Sequence, residues 1–95
     1  MMDYYTISLW EATAWSDEMQ AIAKDKFVPM ILASGASSVN MIRTSELSFA
    51  VVTQYPDEAT GMAAQQRIAE IRSQAAEELP MTLQSAVAGT VFVNG

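Results

Sequence analysis

The stretch Ser38-Val39-Asn40-Met41-Ile42-Arg43-Thr44-Ser45-Glu46-Leu47-Ser48-Phe49-Ala50-Val51-Val52-Thr53-Gln54-Tyr55 contains two alternating runs with almost nothing between them. In the first run, Val39 and Met41 oppose Asn40 and Ile42. In the second, Leu47, Phe49, Val51 and Tyr55 oppose Ser48, Ala50, Val52 and Gln54. A period of two marks strands, and a link as short as Ser45-Glu46 makes the pair an antiparallel hairpin. No glycine marks the turn, so its type stays open.

On either side of this hairpin the period changes to that of a helix. Upstream, Ser16-Asp17-Glu18 supplies a hydroxyl cap and two acids for a helix start. Met19, Ile22, Ala23, Phe27, Met30 and Ile31 follow as an apolar stripe. Pro29 removes a backbone donor within it, so a kink or restart is expected near Val28, with an end at Gly35. Downstream, Pro56-Asp57-Glu58 opens a longer helix to about Leu79. Its buried face is Ala64, Ile68, Ile71, Ala75 and Leu79, and Pro80 stops it. Placed at helix starts, Asp17-Glu18 and Asp57-Glu58 are explained by the helix dipole, without catalysis.

The ends of the chain are again strand-like. Tyr4 to Glu11 alternates Tyr5, Ile7 and Leu9 with Tyr4, Thr6, Ser8 and Trp10, and residues 83–94 read as a last strand bent at Gly89. The order is therefore βαββαβ within one domain, residues 1–95. With right-handed crossovers this gives an α+β ferredoxin-like sandwich, an antiparallel sheet with two helices on one face. The other face is expected to carry Tyr4, Thr6, Ser8 and Trp10, then Asn40 and Ile42, then Ser48, Ala50, Val52 and Gln54, with Phe92. That set is too apolar for a naked surface and points to a second copy of the chain.

Composition narrows the chemistry. The chain has 95 residues, 51% of them hydrophobic, with eleven acidic and five basic groups and a formal charge of −6. The bases, Lys24, Lys26, Arg43, Arg67 and Arg72, read as scattered, which argues against nucleic acid and anionic membranes as partners. No cysteine or histidine is present, so disulfides, thiolate or imidazole metal sites and histidine-dependent triads are excluded. The start Met1-Met2-Asp3-Tyr4-Tyr5 has no basic leader. The uncharged stretch from Phe27 to Ile42 is interrupted by Pro29 and Gly35, and it falls short of the ~20 apolar residues a bilayer needs. A cytoplasmic protein is expected. Charge is also uneven, since none follows Glu78.

With this element order, and with Gly35-Ala36 leading into the second strand and Tyr55-Pro56-Asp57 leaving the third, the chain resembles the dimeric α/β-barrel superfamily. Within that superfamily it is similar to the antibiotic biosynthesis monooxygenase-like group. The resemblance implies a homodimer packed sheet to sheet, with a ligand-sized cavity on the sheet side of each copy. It also implies oxidation of a quinol-type aromatic by dioxygen with no cofactor and no metal, in a pocket of tryptophan, asparagine and tyrosine groups. Haem-degrading and histidine-aspartate relatives depart from this chain, which has no histidine. The candidate ligand-binding residues are Asn40, Trp10, Tyr4, Gln54 and Ser48, with Trp15 and Arg43 as further polar or aromatic groups. No catalytic base or nucleophile stands out, so a non-catalytic ligand-binding or accessory protein of the same fold is the alternative. An isomerase-like role in aromatic degradation is a weaker third.

Overall fold

The computed structural model describes residues 3–95. Met1 and Met2, which open the segment considered for a leader, lie outside the described residues. The elements are β1 (Tyr4–Ala12), α1 (Asp17–Ile22), a π-helical turn (Ala23–Phe27), α2 (Val28–Ala33), β2 (Ser38–Arg43), β3 (Ser48–Tyr55), α3 (Glu58–Ala63), α4 (Gln65–Glu78) and β4 (Met81–Thr90). The sheet order is β2-β3-β1-β4 with every pair antiparallel, which is the ferredoxin-like arrangement.

Both helix starts form as their sequences require. Ser16 Oγ accepts from the Met19 N–H at 3.1 Å, and Asp57 Oδ1 accepts from the Thr60 N–H at 2.8 Å. The expected disturbance around Pro29 is a π turn, in which the Val28 N–H bonds back to the Ala23 carbonyl. Pro29 cannot donate to Asp25, and its ring would press on that carbonyl. The wider turn just ahead of it absorbs the conflict. Gly35 then ends the run at φ 113°, a backbone setting that disfavours other residues.

The second helical run is not continuous. It breaks at Ala64, where ψ relaxes to −10°, and the Gln65 side-chain amide takes up the Gly61 carbonyl at 2.9 Å. The last strand begins at Met81, earlier than expected, and ends at Thr90. Phe92 therefore lies beyond the ladder and is 87% exposed. β4 carries one extra residue where the register shifts between Leu9 and Trp10, a bulge that re-aims the strand.

The register settles which side chains share a face. Tyr4, Thr6, Ser8 and Trp10 pair across the ladder with Tyr55, Thr53, Val51 and Phe49. Phe49, Val51 and Tyr55 are buried with Phe27, Ile31, Ile68, Ile71, Ala75 and Leu79 from the helices. The expectation for β1 is thus reversed. Its mixed row, Tyr4, Thr6, Ser8 and Trp10, lies under the helices, and its greasier row, Tyr5, Ile7 and Leu9, faces away. Trp10 Nε1 donates to Ser8 Oγ at 2.9 Å, so two polar groups of the buried row satisfy each other and can go inside.

The open face is as expected for β2 and β3. Asn40 and Ile42 align with Val52 and Ala50, and these in turn with Ile7 and Leu9. Val87 completes the patch from β4. Ile7, Leu9, Ile42 and Val87 are 37 to 64% exposed, and two acids, Asp3 just before β1 and Glu11 near its end, flank this row. Among the described residues no helix is long and apolar enough to cross a membrane.

Candidate functional site

A cavity of about 330 Å³ lies between the helices and the sheet, at the lower end of the range for small-molecule sites. It is on the opposite side of the sheet from the one expected. Trp10, Phe49 and Val51 form its floor, Phe27, Ile31, Ile68, Ile71 and Ala75 its roof, and Trp15 one end. Trp10 and Phe49 stack with centroids 6.2 Å apart and planes within 6°, while Trp15 meets Phe49 edge-on at 5.7 Å. Flat, rigid aromatic walls of this kind suit a flat ligand. The π turn contributes directly, because Ala23, Lys24 and Phe27 from it all line the space.

The polar side chains around this apolar volume are few, and each of them can donate a hydrogen bond. Thr6 and Thr53 sit opposite each other on the floor, both buried, with Ser8 beside them. Ser8 Oγ already accepts from Trp10, leaving its own proton to donate elsewhere. The Trp15 indole N–H is buried without a partner among the described residues. An orphaned buried donor costs about 1–3 kcal/mol, which a ligand oxygen would recover. The Arg43 guanidinium lies over the Trp15 ring at 4.1 Å and donates to the Glu46 backbone carbonyl at 2.6 Å, holding that ring in place. Arg43 thus meets Glu46 at the main chain and not at the carboxylate. Arg72 reaches the cavity half-buried from α4; burial lowers its pKa, and the nearby Tyr55 works against that shift.

The five candidate residues do not converge. Trp10 lines the cavity. Tyr4 shares the covered face, but its ring lies over Gly61, where an added Cβ would overlap it. Asn40, Ser48 and Gln54 are on the open face. There Gln54 accepts from Ser38 Oγ at 3.1 Å and donates to Asp3 at 2.9 Å, and Asn40 is exposed. Sequence reasoning missed Arg72, Lys24, Thr6, Ser8 and Thr53 as cavity groups. A signal for Arg72 did exist. It falls four residues after Ile68 and three before Ala75, on the border of the apolar stripe of α4.

No protein-family model matches the chain, and no curated protein matches it. Solved structures do. A protein of unknown function from Nitrosomonas europaea is 17% identical, with all of this chain and 94% of that one covered at a TM-score of 0.68. A monooxygenase of Streptomyces coelicolor in complex with the ligand nanaomycin D is 14% identical, covering 98% of this chain and 90% of its own at a TM-score of 0.68. A dimeric ferredoxin-like protein from an uncultured marine organism is 9% identical, covering 100% and 92% at a TM-score of 0.60. At such identities the likeness is one of fold, and with the sheet order above it shows that the chain has the α+β ferredoxin-like fold shared by a ligand-bound monooxygenase.

Proposed function

We propose that the chain is a homodimer joined through its open sheet face, and that each copy takes a small hydroxylated aromatic, a phenol or quinol, into the cavity under its helices. There the bound molecule reacts with dioxygen. The observation that carries this reading is the partly enclosed 330 Å³ space with aromatic walls, lined by residues that carry hydrogen-bond donors, among them Trp15 with its unpartnered indole N–H. The likeness in fold to a monooxygenase supports it. In such a reaction a phenol and dioxygen give a quinone and water: one oxygen atom enters the ring, the other leaves as water, and the ring supplies the electrons. The chain's part is to exclude bulk water, hold the ring against Trp10 and Phe49, and give the ligand oxygen a donor at Trp15 Nε1.

Trp10 keeps its proposed place beside the ligand. Asn40, Ser48 and Gln54 are reassigned to polar contacts between the two copies. Four strands about 4.8 Å apart, eight or so residues long at about 3.3 Å each, present a footprint of roughly 500 Å². Side-chain relief brings that towards the ~800 Å² per partner of a stable interface.

A second reading, a binding protein without chemistry, is favoured by one specific feature: among the described residues no carboxylate lines the cavity to take a phenolic proton. Oxygen consumption over a panel of dihydroxynaphthalenes, run beside calorimetric binding, separates the two. The monooxygenase reading expects uptake above the protein-free rate, and expects Ala23→Phe, which fills the cavity from the π turn, to abolish it while the circular dichroism spectrum is unchanged. Binding without uptake selects the second reading. Equal uptake by the wild type and Ala23→Phe places the reaction outside the cavity and refutes the first.

A further inference from the structure

The charge around the cavity is opposite to that of the protein. Eleven acids and five bases are available, yet Lys24, Arg43 and Arg72 border the space and no aspartate or glutamate does. The other two bases are committed elsewhere, Lys26 to Glu78 and Arg67 to Glu70. These are the ion pairs among the described residues, so the three cavity cations have no carboxylate partner. Arg72 is the most telling of them. A guanidinium brought half out of water at an apolar cavity with no counter-charge is costly unless something anionic completes it. Two exposed cations, Lys24 and Arg43, extend the same field outward, where it can draw an anion in.

The neutral groups agree. Trp15 Nε1 has no acceptor, and the hydroxyls of Thr6, Ser8 and Thr53 can all donate. We infer that the ligand is an aromatic acid, a flat ring system carrying a carboxylate that pairs with Arg72. The planar guanidinium matches a carboxylate through two parallel N–H bonds, whereas Lys24 acts as a point charge at the rim. The inference rests on the cavity being the ligand site and adds the charge of the molecule that fills it.

Calorimetric titration with 2-naphthoate and with its neutral isostere 2-naphthamide tests it at low and high salt. Naphthoate is expected to bind at least about ten-fold more tightly than the amide, with the ratio narrowing as salt rises. Arg72→Gln removes that preference while leaving amide binding within about three-fold, and Lys24→Gln, at an exposed position, weakens naphthoate by about two- to three-fold and mainly at low salt. If Arg72→Gln does not fold, the wild-type ratio and the Lys24→Gln salt dependence decide. Amide binding as tight as naphthoate overturns the acid while leaving the cavity as a ligand site. Failure of both probes at millimolar concentration removes the cavity reading and this inference with it.

Discussion

Ile7 stands at the centre of the open face, between Val52 on one neighbouring strand and Val87 on the other, and is 37% exposed in the single chain. Replacing it with lysine is the sharpest test of the proposed dimer. Full burial of an isoleucine side chain is worth about 1.5–3 kcal/mol, so covering the exposed third contributes about 0.5–1 kcal/mol per copy. A two-fold interface presents each patch twice, so the substitution removes about 1–2 kcal/mol of apolar burial from the dimer. The larger effect is the lysine itself. Two unpaired ammonium groups forced out of water cost several kcal/mol each, so the dissociation constant of the dimer should rise by at least about a thousand-fold. The monomer has little reason to unfold, because the position already meets solvent, and the strand-propensity change is within about 1 kcal/mol. Sedimentation velocity at micromolar protein should show a dimer for the wild type and a monomer for Ile7→Lys. The wild-type melting temperature should also rise with concentration, and that of the variant should not. An Ile7→Lys protein of unchanged mass, or a monomeric wild type, refutes the reasoning.

Two further predictions concern the helix that follows β3. Gly61→Ala adds a Cβ that would overlap the Tyr4 ring; although alanine favours helix by about 1 kcal/mol, overpacking costs about 1–3 kcal/mol, so a melting temperature lower by several degrees is expected and an unchanged or raised one counts against the packing. The carboxyl pKa of Asp57 is lowered by the Thr60 backbone N–H, and that of Glu78 by Lys26 and then Gln74. Because both folded-state values are depressed, their contribution is present above the ordinary carboxylate range, about pH 4, and is lost as pH falls through the lowered values. Asp57→Asn keeps a cap that does not titrate, so its melting temperature should fall less steeply on acidification, and identical slopes for the two proteins would contradict the assigned cause.

The fold was legible because its signals are local. Ser16 and Asp57 cap where they stand, Pro29 forces a disturbance within a turn of itself, and the 38–55 stretch can be little other than a hairpin. The break at Ala64 was less so, since it depends on Gln65 reaching back to Gly61 within a run that is otherwise helical. The facing of β1 was misread for a physical reason. Apolar-in, polar-out works for a sheet with one dry side and one wet side. Here the covered side encloses a cavity lined by Thr6 and Ser8, with Ser8 accepting from Trp10, and the open side is apolar through Ile7 and Leu9. The site was only partly legible. Trp10 could be picked out as an amphipathic aromatic, but Lys24, Arg43 and Arg72 lie on three different elements, and their convergence is a tertiary fact that no spacing encodes.

Alternation in β1 also separates the two tasks assigned to the sheet. Thr6, Ser8 and Trp10 look into the cavity, whereas Tyr5, Ile7 and Leu9, one residue out of step, lie on the open face to which the second copy is proposed to bind. The side chains of this chain that line the cavity come from the sheet, the helices and the π turn. What the proposed partner would supply is cover for an apolar surface that would otherwise invite indiscriminate association. In the proposed dimer, affinity for the ligand and affinity for the second copy can then change independently, because a side chain of β1 belongs to one face or the other. The exception is a change that shifts register by one residue, which would exchange the two rows and remove both proposed roles together. The bulge opposite Leu9 and Trp10 and the polar corner formed by Ser38, Gln54 and Asp3 are the features that oppose such a slip, one at each end of the sheet.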